Sequence, residues 1–215
     1  PACAITDHGN MYGAVKFYEA CKQNGIKPLI GTEFYVANNY KEKTGKFDYA
    51  HITIIAKNAV GYKNLCKLNS IAWVDGFYYK PRIDYDLLEE HSEGLICLSG
   101  CLRGDVQRYL LQGFKEEAEK LAIRLRDMFA PGDFYIEVMD HGLVEQKQIL
   151  NDQFELAKKI GVKVVATNDV HYINKEDSEV QDIMMCVSMG KTVDDPDRMR
   201  MECQEFYLKT EEEMR

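Results

Sequence analysis

Asp169 and His171 stand two residues apart where the apolar, β-branched run Val164-Val165-Ala166 gives out into Thr167-Asn168-Asp169-Val170-His171. On an extended backbone, residues i and i+2 leave on the same face. A carboxylate and an imidazole so placed can share one metal ion. The chain opens on a similar arrangement, with Ala4-Ile5-Thr6 running into Asp7-His8-Gly9. Other apolar runs stop in the same manner. Glu33 follows Ile26–Gly31, Cys101 follows Leu95–Leu98, and Asp140 and His141 follow Phe134–Val138, while His51 opens its own run, Ile52–Ala56. His, Asp, Glu and one Cys form a mixed donor set that suits Zn, Mn or Fe better than an all-oxygen Mg site.

Other polar residues have plainer readings. Asp7 directly precedes His8, so on a strand it points to the other side, as a helix N-cap or a partner of a ligand. His91 sits at a helix end, where a cation is favoured. Phe77-Tyr78-Tyr79 reads as packing; Lys80 and Arg82 read as a solvated loop pair that could hold phosphate. Glu211-Glu212-Glu213 is an exposed acidic face. The sequence contains no phosphate-binding glycine loop, dinucleotide fingerprint or H-E-x-x-H zinc motif, and no G-x-S-x-G elbow. Cys101 as a nucleophile would need an activating histidine beside it, so a metal ligand or structural thiol is the better reading.

Strand and helix patterns alternate between these ends. Helical periodicity falls on Val15, Tyr18 and Cys21 (stopping at Asn24-Gly25), then on 61–74, 86–90, 106–111, 116–128, 145–160 (stopping at Gly161) and 175–189. Alternation at these loop lengths implies an α/β fold with a mostly parallel sheet or barrel, whose strand C-termini carry the site. The run 164–166 reads as a buried strand continuing towards His171. Asn38–Asp48, polar and rich in Lys, reads as a solvated excursion.

With 215 residues and 46% hydrophobic content, the chain can bury one substantial core. Its formal charge of −8 argues against nucleic-acid binding by blanket electrostatics. No apolar run approaches the ~20 residues of a membrane span. Seven cysteines without a C-x-x-C pair fit a reduced, cytoplasmic, disulfide-free protein. The abrupt ends, Pro1 leading straight into a strand and Arg215 closing an incipient helix, read as those of a piece of a longer polypeptide.

Thr6-Asp7-His8-Gly9-Asn10-Met11-Tyr12-Gly13 resembles the second motif of the PHP (polymerase and histidinol phosphatase) superfamily. Ile30–Glu33, His51–Lys57, Gly76–Arg82, Leu98–Cys101, Asp140–Leu143, Ala166–Tyr172 and Asp195–Arg198 extend the resemblance over nearly the whole chain. The Lys80-Pro81-Arg82 and His141-Gly142-Leu143 segments resemble the branch at the N-terminus of bacterial DNA polymerase III alpha subunits of the DnaE type. That resemblance implies a distorted (β/α)7 barrel, here lacking its first strand, which precedes Pro1 and carries a His-x-His motif. Residues 1–215 would be a PHP domain fragment, truncated at its N-terminus and running towards the polymerase region. The resemblance implies up to three divalent metal ions (Zn or Mn) held by His8, Glu33, His51, Cys101, Asp169 and His171. His8, Asp169 and His171 would be catalytic in metal-assisted phosphodiester hydrolysis of the 3′–5′ exonuclease type, with Lys80 or Arg82 steadying phosphate. The parent would be a DNA-directed DNA polymerase, its nucleotidyl-transfer carboxylates outside this chain. Its partners would be DNA and other replicase subunits such as a proofreading exonuclease or the sliding clamp. A non-catalytic, partner-binding scaffold is the alternative the resemblance allows.

Overall fold

The apolar run Ala2-Cys3-Ala4-Ile5 passes into Thr6-Asp7-His8, and this stretch forms β1 (Ala2–His8). After Gly9 the chain turns into α1 (Ala14–Gln23), which stops at Asn24-Gly25 with Gly25 at φ +66°. It then enters β2 (Lys27–Val36), one continuous strand. The computed structural model describes residues 1–44 and 48–215; Gly45, Lys46 and Phe47, inside the predicted excursion, lie outside the described residues. β3 (Ala50–Ala56) follows, then α2 (Ala59–Val74), whose first turn is capped by the Asn58 side chain accepting from the Val60 and Gly61 amides. β4 (Arg82–Ile83), α3 (Tyr85–Glu90), β5 (Leu95–Leu98), α4 (Asp105–Leu111) and α5 (Lys115–Met128) come next. β6 (Phe134–Val138), α6 (Val144–Ile160), β7 (Lys163–Ala166), a 3₁₀ turn (Lys175–Asp177), α7 (Ser178–Met189) and α8 (Glu211–Met214) complete the chain.

The sheet runs β1-β2-β3-β5-β6-β7, with β4 against the far end of β2. β1–β2, β5–β6 and β6–β7 are parallel, but β3 is antiparallel to both β2 and β5. The mostly parallel sheet expected from alternation is therefore interrupted: among the described residues no helix separates β2 from β3, and a strand that returns beside its neighbour without a crossover helix pairs antiparallel. The reversal explains why His51 opens its strand. The start of β3 lies at the same end of the sheet as the C-termini of its neighbours.

Parity along β2 and β3 sorts the two faces. Phe34, Ile52 and Ile54 are fully buried with Leu65, Leu68 and Ala72 of α2, while Glu33, Tyr35, His51 and Thr53 take the opposite face. Burying a Leu- or Phe-sized side chain contributes ~1.5–3 kcal/mol, so this layer fixes the strand register, and hence which residues face inward. The sheet curls into a half-barrel, and the rings of His8, at the end of β1, and His171, after β7, come within 5.7 Å of each other. This is the partial barrel that the resemblance implies.

Two local expectations are corrected. β7 ends the hydrogen-bonded path, so Lys163 and Ala166 are exposed and the two valines between them only half-buried; it is an edge strand and not a buried one. It also stops at Ala166, and Asp169 lies in a left-handed conformation (φ +42°), so Asp169 and His171 do not share a face through strand alternation. Among the described residues no helix is long and apolar enough to cross a membrane, and every cysteine is a free thiol.

Candidate metal centre

In the β1–β2 register His8 lies directly beside Glu33. The next residue, Gly9, turns at φ +64°, where a Cβ would meet Pro81 and Tyr35 at 2.8 and 2.9 Å. Its amide donates to the Glu33 carbonyl at 2.8 Å. Asp7 faces the other way and accepts the Gly13 amide at 3.2 Å, at the start of α1.

Glu33 is the hub. Its Oε2 is 2.9 Å from His8 Nε2 and its Oε1 is 2.7 Å from His51 Nδ1. One donor atom from each of the three residues falls within 4.8 Å of the others. Cys101 Sγ stands 3.9 Å from Glu33 Oε1 and 3.8 Å from His51 Nδ1. On the far side, His171 Nε2 lies 3.3 Å from Asp169 Oδ1. Glu33 and His51 are almost wholly enclosed, whereas the His8 side chain is 43% exposed and marks the mouth. Tyr35 and Tyr49 wall the His51 ring at 5.3 and 5.7 Å. The six residues expected as ligands thus gather at one end of the half-barrel.

The electrostatics favour a cation. Burial alone would raise the Glu33 pKa, but hydrogen bonds to His51 and His8 hold it well below the usual carboxylate range. His8 is raised, chiefly by its bond to Glu33 and against the effect of burial. Burial, and then the Glu33 and Asp169 carboxylates, push the Cys101 thiol far up. Positive charge placed among them favours the carboxylate of Glu33 and the thiolate of Cys101 and opposes protonation of His8, whose neutral imidazole is the form that can ligate.

Glu137, inside β6, was not singled out from the sequence. Burial pushes it up to about 7, opposed by the Thr167 hydroxyl, with Glu33 and Asp169 raising it further. Its Oε2 accepts the Gly100 amide at 3.0 Å and its Oε1 accepts Thr167 Oγ1–H at 2.7 Å. It therefore ties the loop bearing Cys101 to the loop bearing Asp169. The available signal was an acid within an apolar strand, which needs a partner once buried. Because the folded form holds the proton more tightly, the carboxyl contributes stability below the unfolded value near 4.5 and loses it as pH rises through about 7, an effect of about 3 kcal/mol. Chelator-treated protein is expected to melt at progressively lower temperature across that window. Glu137→Gln, which can still accept from Gly100 and donate to Thr167, is expected to flatten the slope.

The remaining candidates separate cleanly. Lys80 Nζ lies over the Tyr35 ring at 5.4 Å, and its charge opposes protonation of His8, which places it near the mouth. Arg82 is a correction: it is buried, not a solvated loop residue, and its guanidinium donates to the Gly76, Tyr40 and Glu42 carbonyls, so it is committed to holding backbone. His141 is committed too. Its Nδ1 accepts from Gln146 at 2.7 Å, its Nε2 donates to the Asn168 carbonyl at 3.1 Å, and its ring stacks on Phe206 at 4.1 Å. Asp140 accepts the Gly142 amide. The Asn168 side chain donates to the Glu205 and Tyr207 carbonyls, and the His171 amide donates to Phe206 O. The polar tail therefore braces the Asp169–His171 turn. Phe77, read as packing, is 44% exposed.

The structure is thus a half-barrel with imidazoles, carboxylates and a thiol gathered at one end, a donor set that could hold a metal ion. The family description "PHP domain" matches residues 1–141, and the chain belongs to that family. It is also similar to DNA polymerase III subunit alpha from Treponema pallidum, at 48% identity over 99% of this chain, and from Thermus aquaticus, at 47% over 100%. The corresponding subunit of Borreliella burgdorferi is 44% identical over 98% of the chain. The chain spans 18–19% of the length of these relatives.

Proposed function

We propose that residues 1–215 are a fragment of the PHP domain of a replicative DNA polymerase alpha subunit, and that the domain hydrolyses phosphodiesters at the 3′ ends of DNA strands. The observation that carries the reading is the convergence of His8, Glu33 and His51 donor atoms within 4.8 Å, with His171 5.7 Å from His8 across the opening between β1 and β7. The residues fit a cation on their chemistry. A buried carboxylate is flanked by two imidazoles, and His51 Nε2 is buried without a hydrogen-bond partner. Mixed N, O and S donors favour zinc or manganese; His8, Glu33, His51 and Cys101 would serve on one side and Asp169 and His171 on the other, with up to three ions in the domain completed by its first strand.

A divalent cation there supplies the charge that polarises a phosphoryl oxygen and lets water ionise near neutral pH. The chain's own residues do the rest. Glu33, between them, fixes the positions of the His8 and His51 rings; Glu137 sets the spacing between the Cys101 and Asp169 loops. His8, half-exposed between the two sides, meets the substrate first, and Lys80 attracts its phosphate. Polymerisation, and contacts with other replicase subunits such as a proofreading exonuclease or the sliding clamp, belong in this proposal to the longer chain.

The test uses the alpha subunit on a 5′-labelled primer–template without nucleotides. Manganese or zinc is expected to support stepwise shortening, and a chelator or His8→Ala with Asp169→Ala to abolish it. Equal shortening by that double variant would refute the catalytic role. Tight metal binding with no shortening at all would leave a structural metal module instead.

A further inference from the structure

We propose that Tyr12, Trp73 and Phe77 form a platform on which unpaired bases of a DNA strand stack beside the metal centre. The three rings come from two elements, the β1–α1 loop and the end of α2 with the turn after it. Trp73 and Phe77 are near-parallel, 5.5 Å between centroids and 21° between planes, and Tyr12 adjoins Trp73 at 6.3 Å and 38°. They pack on one another yet remain 78% (Tyr12), 41% (Trp73) and 44% (Phe77) exposed. Rings serving only the core would be covered, and a contiguous exposed aromatic patch marks a binding surface.

The platform is rigid and tied to the site. Trp73 Nε1–H donates to the Gly9 carbonyl at 2.8 Å, and Gly9 follows His8. Asn10 locks the same loop: its amide donates to the His8 carbonyl, and its Oδ1 accepts the Tyr12 amide, both at 2.9 Å. Lys80, three residues after Phe77, lies against Tyr35, whose ring is 6.2 Å from that of His8. Flat faces joined to Gly9, an ammonium against Tyr35, and the carboxylates and imidazoles around His8 match a strand presenting bases, a phosphate and a scissile diester to one place. Stacking needs no particular sequence, and it suits a chain whose net negative charge denies it broad electrostatic attraction. The direction of the strand rests on the phosphodiesterase reading; the stacking itself does not.

The experiment is done on the whole protein in chelator, so that no turnover is involved. The probe is a short single-stranded oligonucleotide with 2-aminopurine near its 3′ end, a base whose fluorescence is quenched on stacking. Wild-type protein is expected to quench it. Tyr12→Ala with Phe77→Ala is expected to relieve the quenching and to weaken binding by about tenfold or more, while Tyr12→Phe, which keeps the ring, binds as wild type. An otherwise identical oligonucleotide with abasic 3′ nucleotides is expected to bind wild type as weakly as the intact one binds the double variant. Binding without quenching, binding insensitive to the double variant, or no binding because another part of the protein covers the rings would each overturn the proposal. Quenching with no hydrolysis under any metal would refute the phosphodiesterase and leave the platform standing.

Discussion

Replacing Glu33 with Gln is expected to lower affinity for manganese or zinc by more than ~100-fold, beyond what loss of a residue that merely supports a ligand costs, and to remove phosphodiester hydrolysis with it. Glu33 touches both imidazoles, at 2.9 and 2.7 Å, and Cys101 Sγ lies 3.9 Å away. The amide keeps the shape and deletes the charge. Its NH₂ group presents a donor to one of the two rings, which must then change tautomer or turn away. Metal content after dialysis and hydrolysis of a labelled strand report the two losses. Since the inward face of β2 is set by Phe34 and its neighbours on the other side, the fold is expected to survive. A variant that retains metal at wild-type stoichiometry would show that Glu33 is not the hub.

Gly61→Ala is expected to destabilise the protein by about 2–4 kcal/mol, in the range of substitutions that force packed elements apart. A Cβ at Gly61 would stand 1.7 Å from the Gly94 carbonyl oxygen and 2.5 Å from its carbon. Both are backbone atoms. That carbonyl already accepts the Lys57 amide at 2.9 Å, so the turn before β5 cannot swing aside without breaking the junction between the end of β3 and the start of α2. The shift in denaturant midpoint measures the cost. Because β5 leads to Cys101, metal affinity is expected to weaken as well. An unchanged midpoint would mean that α2 and β5 are free to separate.

The placement of the candidate residues was largely legible because they sit where apolar runs stop, and that pattern needs only residue type and position. His8, Glu33, Cys101 and the Asp169–His171 pair follow from it. His51 fitted poorly until β3 proved antiparallel: alternation along a strand defines its faces but not its direction relative to a neighbour. Asp169 reached its place by another route than expected. The strand gives out at Ala166, and an Asp residue accepts the left-handed backbone that most side chains resist, so a turn braced by Asn168 and the Phe206 segment brings the acid to His171. Arg82 looked like a loop cation because nothing local announces the three carbonyls, 6 to 42 residues away in sequence, that bury it. Glu137 was hidden for the opposite reason, standing within an apolar strand and not at its end. The exposure of Trp73 and Phe77 was likewise invisible, since aromatic residues near a helix end read the same whether they face a core or solvent.

Anomalous diffraction from crystals of the protein grown with manganese, recorded at the manganese edge, tests the central claim most directly. The account predicts a peak within coordination distance of Glu33 and at least one of His8 and His51, with Asp169 or His171 around the same peak or a neighbouring one. Peaks confined to surface acids, with the Glu33–His8–His51 cluster empty in protein that binds manganese tightly, would contradict it.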